Sequence, residues 1–292
     1  MSFAGTHTAL VTPFRDGAFD RQAFRALIET QLSGGVEGIV PVGTTGESPT
    51  LTHEEHTEVI KTAIEAARGR CKVIAGTGSN STAEAISLTR EAERLGADAA
   101  LLVAPYYNKP TQEGLYRHYR AIAGSVGIPI ILYSIPGRCG IEIGVGTVAR
   151  LASDCPNIVC IKEAGGSVER VSQLRQAVPE AFEILSGDDS LTLPFLSTGG
   201  VGVISVVSNL VPREISAFVR AWRQGRTHEA IEVHERLYRL FKDLFIEPNP
   251  VPIKYALSLK GLMSAEVRLP LCEMSDSNKE KLRSTLSALK IL

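Results

Sequence analysis

The residue best placed for chemistry is Lys162, which closes the apolar run Ile158–Ile161. A lysine at the end of a buried strand sits in a low-dielectric setting that disfavours the ammonium and lowers its pKa. To attack a carbonyl near neutral pH the amine must fall from about 10.4 to roughly 7–8, which is about 3 units or on the order of 4 kcal/mol. The product is then a Schiff base with a carbonyl substrate. The plainer reading is a lysine snorkelling off a strand end. Tyr133 closes another apolar run, where a phenol either shuttles protons or caps the end of the core. Gly43-Thr44-Thr45-Gly46-Glu47 offers hydroxyls and backbone N–H groups. It is no phosphate loop, because Glu47 stands where such a loop needs lysine. Arg138 suits a carboxylate clamp, since a guanidinium engages two oxygens at once; the plainer reading is a solvated loop arginine. Tyr106-Tyr107-Asn108 and Gly187-Asp188-Asp189 follow two further apolar runs. The adjacent aspartates read as turn and helix-capping residues rather than metal ligands. His53 and His56 share one helix face and are read as no metal site.

These residues must be positioned by strands. Eight short runs rich in Val, Ile, Leu and Ala are expected as strands buried on both faces: Thr8–Val11, Gly38–Val42, Val73–Gly76, Ala100–Ala104, Pro129–Tyr133, Ile158–Lys162, Phe182–Ser186 and Gly202–Val206. Helical patterns lie between them. Asp20 can cap a helix burying Phe24, Leu27, Ile28 and Leu32, stopped by Gly34-Gly35. Thr52–Glu55, Ser81–Glu84 and Ser277–Glu280 have the spacing of capping boxes. A glycine that ends a helix just before a strand recurs in SGGVEGIVPVG, LGADAALLVAP and TGGVGVISVVS. Strand–helix units of this kind predict an α/β fold, a (β/α)₈ TIM barrel, whose chemistry gathers at the C-terminal strand ends. A doubly wound sheet is the rival, but no GxGxxG follows the first strand. After about Pro212 only helices are expected: Arg213–Gln224, Thr227–Phe245, Pro252–Gly261 and Asn278–Leu289. Glu247–Pro252 (EPNPVP) reads as a linker. The expected domains are a catalytic barrel over 1–225 and a C-terminal helical domain over 226–292, the latter near the lower size limit for an independent core.

Composition narrows the partners. The chain has 292 residues, with 44% hydrophobic and 22% charged, which excludes wholesale disorder. Its 31 basic and 32 acidic residues leave a net charge of −1 with no basic block, so nucleic acid is not an expected partner. The apolar runs are too short to span a bilayer, and the N-terminus lacks the features of a signal peptide. Five cysteines with no CxxC pair point to reduced thiols in a cytoplasmic protein without a zinc site.

Taken together, the motifs resemble the dihydrodipicolinate synthase (4-hydroxy-tetrahydrodipicolinate synthase) family of the pyruvate-dependent class I aldolases, whose superfamily also holds N-acetylneuraminate lyase. The resemblance runs nearly end to end, through ALVTPF (Ala9–Phe14), VGTTGESPTL (Val42–Leu51), IAGTGSNSTAEAI (Ile74–Ile86), APYYNKPTQEGLY (Ala104–Tyr116), ILYSIPGR (Ile131–Arg138), IKEAGG (Ile161–Gly166), LSGDD (Leu185–Asp189) and EPNPVPIK (Glu247–Lys254). It implies a lyase that condenses pyruvate with L-aspartate 4-semialdehyde for lysine and diaminopimelate synthesis, with no cofactor and no metal. Lys162 matches the Schiff-base lysine. Thr44, Tyr133 and a Tyr107 lent by a neighbouring subunit match the proton relay. Thr45 matches the contact to the pyruvate carboxylate, Arg138 the clamp for the semialdehyde carboxylate, and Gly187 and Ile204 the remaining substrate contacts. Ser48, His53, His56, Asn80, Glu84 and Tyr106 match an allosteric L-lysine site. The resemblance also implies a homo-oligomer, a tetramer built as a dimer of dimers or a dimer. Ser134 and Gly137 depart from the frequent Asn and Ser and bear on the loop that aims Arg138. The alternatives are a related aldolase acting on a 2-keto sugar acid or N-acetylneuraminate, and a lysine-binding sensor without activity.

Overall fold

The computed structural model describes residues 2–292. Eight strands form a closed barrel: β1 (Gly5–Ala9), β2 (Gly38–Val40), β3 (Lys72–Gly76), β4 (Ala99–Val103), β5 (Ile130–Ser134), β6 (Ile158–Glu163), β7 (Glu183–Ser186) and β8 (Gly202–Ser205). They follow one another around the barrel in sequence order, with β8 beside β1. The expected TIM-barrel class is therefore observed. A short hairpin of Phe14–Arg15 against Ala18–Phe19 stands apart from the barrel sheet. β1 starts three residues earlier than its apolar run suggests. Thr6, His7 and Thr8 are fully buried polar residues inside it, and Thr8 Oγ1 donates to Gln31 Oε1 at 2.8 Å.

The chain packs as two compact units, residues up to Gly5 with 72–204, and residues 6–71 with 205–292. In the first, β3–β7 alternate with the helices Thr82–Leu95, Gln112–Ala123, Val145–Asp154 and Val168–Ala177. Leu102, Leu132 and Ile161 from the strands pack with Leu115, Tyr119 and Val171 from the helices in one apolar cluster. Ser81 caps its helix by accepting from the Glu84 N–H. The expected box is only half formed, because the Glu84 carboxylate instead takes the Ser79 hydroxyl.

In the second unit Asp20 caps Arg21–Gly34 by accepting from the Ala23 N–H at 2.9 Å, and Gly35 at φ 77° ends that helix. Gln31, not Leu32, is the fully buried residue of its last turn. The box at Thr52–Glu55 is complete and opens the helix His53–Ala67. The helices Pro212–Arg223, Thr227–Asp243, Val251–Leu259 and Asp276–Ala288 end the chain. Two expectations are corrected here. The last helix starts at Asp276 without the box expected at Ser277. The Glu247 carboxylate accepts from both the N–H and the hydroxyl of Ser275 and from Asn278 Nδ2, so it satisfies that end. Glu247–Pro252 is no exposed linker: Asn249, Val251 and Pro252 are buried, because the segment leads into a helix that buries Ile253, Lys254, Ala256 and Leu257.

No described helix is long and apolar enough to cross a membrane. None of the five cysteines is in a disulfide, and three of them are buried.

Candidate active site

β5 and β6 lie side by side in parallel, with Tyr133 directly opposite Lys162. Both side chains are buried, and Lys162 Nζ lies 4.1 Å from the centre of the Tyr133 ring. Burial pushes the Lys162 amine down to about 7. The Asp189 carboxylate opposes that shift and the Arg138 guanidinium adds to it. A strand end inside a barrel mouth thus holds an amine that is half deprotonated near neutral pH, as Schiff-base chemistry requires.

β7 runs into Gly187, whose N–H donates to the Glu163 carbonyl at 2.8 Å. A Cβ at Gly187 would lie 3.1 Å from Lys162 Cε and 2.6 Å from the Ala164 Cβ, so only glycine leaves the lysine in place. Asp188 is a capping residue, accepting from the N–H groups of Ser190 and Leu191. Asp189, read from sequence only as its partner in that turn, is buried and acts electrostatically on Lys162. Its signal was its place just beyond a barrel strand. Arg138 sits exposed on the short helix Pro136–Cys139. Of the two departures near it, Ser134 is buried and its Oγ accepts from the Ile143 N–H at 3.4 Å. Gly137 faces open space, so the structure gives no steric reason for its lack of a side chain. Ile204 is buried within β8.

Tyr107 is 91% exposed and holds a φ of 71°, a left-handed conformation uncommon for a large side chain. Beside it, the Tyr106 carbonyl accepts from Asn80 Nδ2 at 3.2 Å, and Asn108 Nδ2 donates to the Asn80 carbonyl at 2.9 Å. Burial, with the Glu84 charge behind it, raises the Tyr106 phenol above its usual range, while a hydrogen bond with Ser79 lowers it. Asn80, Glu84 and Tyr106 therefore share one neighbourhood, joined through Ser79.

In the other unit, β2 leads into a tight double turn. The Gly46 N–H donates to Gly43 O at 3.0 Å and the Glu47 N–H to Thr44 O at 3.1 Å. A Cβ at Gly46 would lie 3.0 Å from the Val42 backbone. Thr44 is half-buried; Thr45 is buried, and its hydroxyl accepts from Asn249 Nδ2 at 3.0 Å. The Glu47 carboxylate pairs with fully buried Lys254 and accepts from the Arg268 N–H at 3.0 Å. Burial pushes the Lys254 amine down to about 8, against the pull of Glu47. Sequence reasoning missed Asn249 and Lys254 as supports of this turn; their only signal was membership of the EPNPVPIK motif. Ser48 opens the short turn Ser48–Thr50, and on the helix that follows His53 is exposed while His56 is buried.

Residues 2–289 match the dihydrodipicolinate synthetase family. The chain belongs to that family. It is 53% identical over 290 residues, 99% of either chain, to the 4-hydroxy-tetrahydrodipicolinate synthase of Endomicrobium trichonymphae. The structure of the 4-hydroxy-tetrahydrodipicolinate synthase of Methylacidiphilum fumariolicum SolV superposes with a TM-score of 0.98 at 58% identity, covering 99% of this chain and 96% of that one. Among other dihydrodipicolinate synthases, the Acinetobacter baumannii structure is a complex with pyruvate (TM-score 0.97, 44% identity, 100% of both chains). That from Cyanidioschyzon merolae has lysine bound (TM-score 0.96, 43% identity, 99% of both chains). The likeness to dihydrodipicolinate synthases thus spans the barrel strands and the C-terminal helices alike.

Proposed function

We propose that the chain is a Schiff-base-forming lyase that condenses pyruvate with L-aspartate 4-semialdehyde, the reaction that leads to lysine and diaminopimelate. The observation that carries this reading is the Lys162 amine, buried against Tyr133 on adjoining strands and brought to about 7. The neutral amine attacks C2 of pyruvate, and loss of water leaves an imine. The imine draws electrons from the methyl C–H bond; its proton leaves and an enamine forms. The enamine carbon attacks the aldehyde carbon of the semialdehyde, whose oxygen takes a proton. The amino group of the adduct then adds to C2, closes the ring and displaces the Lys162 amine. Tyr133, Thr44 and Tyr107 from a second copy relay these protons. Thr45 holds the pyruvate carboxylate, Arg138 holds that of the semialdehyde, and Gly187 and Ile204 complete the substrate contacts. The imine itself is the electron sink, so the scheme needs no cofactor.

The exposed Tyr107 supports a homo-oligomer in which it leaves its own chain, a tight dimer or a pair of such dimers. The cluster of Asn80, Glu84 and Tyr106 supports L-lysine as an effector, bound with Ser48, His53 and His56. Residues 1–225 carry the chemistry in this scheme and 226–292 form the helical domain, in a cytoplasmic enzyme. The test is a coupled assay with both substrates, with and without L-lysine, beside borohydride trapping with pyruvate. Turnover and a pyruvyl-derived mass on Lys162 are expected. Cleavage of N-acetylneuraminate or a 2-keto sugar acid in place of turnover would reassign the aldehyde substrate, and no adduct at all would leave a lysine-binding sensor.

A further inference from the structure

Directly after Lys162, β6 places Glu163, which alternation along the strand turns to the opposite face. The Glu163 carboxylate is fully buried. One oxygen accepts from the Gly165 N–H at 2.6 Å and the other from Arg170 Nε at 2.8 Å. Arg170 belongs to the helix Val168–Ala177 and is itself buried. Its two remaining nitrogens reach a different segment: Nη1 donates to the Glu142 carboxylate at 3.0 Å, and Nη2 donates to the Ile143 carbonyl. That segment is the chain leaving the helix Pro136–Cys139, which carries Arg138. Gln112 holds it from another side, donating to the Glu142 carbonyl and accepting from the Gly144 N–H, both at 2.8 Å.

A buried Arg–Glu pair contributes little net stability, because desolvation offsets attraction. What its rigid fork of donors does supply is fixed geometry between the groups it joins. Here one arm grips the strand of Lys162 and two grip the strap behind Arg138.

We propose that Arg170 is a positioning residue: through Glu163, Glu142 and the Ile143 carbonyl it fixes the Arg138 segment against the strand of Lys162 and so sets the span between amine and carboxylate clamp. This rests on the reading of Arg138 as the clamp for the semialdehyde carboxylate. The position of the clamp selects the aldehyde substrate, and it bears on imine formation with pyruvate only through the Arg138 charge, a smaller influence on Lys162 than burial.

The test compares Arg170→Met, Glu142→Gln, Arg138→Ala and the double variant Arg138→Ala/Arg170→Met. The readouts are the KM for each substrate, kcat and borohydride labelling of Lys162. Arg170→Met is expected to raise the semialdehyde KM roughly tenfold or more, with the pyruvate KM within about twofold and labelling complete. Glu142→Gln, which removes the charge but not the acceptor from one contact at a half-exposed carboxylate, should give a smaller rise of the same selectivity. On the Arg138→Ala background the Arg170→Met effect should vanish. An unchanged semialdehyde KM, a parallel rise in both KM values, or an effect that persists on that background overturns the proposal. If Arg170→Met does not fold, Glu142→Gln decides, and an unchanged semialdehyde KM there overturns it. If Arg138→Ala alone leaves the semialdehyde KM unchanged, the clamp reading fails and Arg170 loses its proposed role with it.

Discussion

At Lys162 one physical cause, burial, sets both reactivity and a local cost in stability. Below about 7 the amine is protonated and cannot attack. The rate of imine formation with pyruvate in single-turnover trapping is therefore expected to fall about tenfold per pH unit below that value. The stability effect has a definite sign. The folded-state pKa lies near 7 and the reference value is 10.5, so between them the unfolded chain binds more protons. Stability from this group rises with pH across that window, by about 1.4 kcal/mol per unit, and is flat below it. Lys162→Met should accordingly raise the Tm more at pH 6 than at pH 9. A gain equal at both pH values would contradict the depressed pKa. Gly187 tests the geometry of the same amine. Added methyl groups in filled sites cost about 1–3 kcal/mol, and here the neighbours are Lys162 Cε and the Ala164 Cβ. Gly187→Ala should lose borohydride labelling of Lys162 and roughly a hundredfold in kcat, whereas Gly137→Ala, facing open space, should keep both.

Elements were legible in the sequence where one run of residues carried its own cause. β5 and β6 are apolar because both faces are covered, and Tyr133 and Lys162 stand out as the residues that end those runs. The site was illegible where the cause came from far along the chain. Thr6 and Thr8 look unlike barrel-strand residues until the Ile215 carbonyl and Gln31 supply their partners. Asn249 and Lys254 look like a proline-rich linker and a surface charge until Thr45 and Glu47, about two hundred residues earlier, are placed beside them. Likewise nothing local in sequence joins Arg170 to Glu142. The Glu47–Lys254 pair makes the dependence measurable. Lys254→Met leaves a buried carboxylate without its counter-charge, which typically costs 3–5 kcal/mol. The midpoint of denaturant unfolding should drop sharply, and the pyruvate KM should rise as the Thr44-Thr45 turn loosens. Adding Glu47→Gln should recover most of the stability, because the unpaired charge is then gone. A double variant no more stable than Lys254→Met would show that the pair acts by packing instead.

For the molecule as a whole, a net charge of −1 offers no general attraction for the carboxylates of the two proposed substrates. In the proposed scheme the positive charge is local: the iminium on Lys162, and Arg138. The remaining whole-molecule question is Tyr107, a large aromatic presented to solvent at a left-handed φ. If it serves the site of a second copy, two inactive chains can repair one another. Tyr107→Phe keeps its own Lys162 but withholds the relay phenol from its neighbour's site. Lys162→Met has no nucleophile but still lends its tyrosine. In a mixed dimer, the lysine of the first chain meets the tyrosine of the second, and one of the two sites is whole. Random pairing of equal amounts makes half the dimers mixed, so co-expression should restore about a quarter of the wild-type activity. Each variant alone should stay near background. If Tyr107 acts within its own chain, every site in every pairing lacks one group, and co-expression should give no more than the average of the two variants.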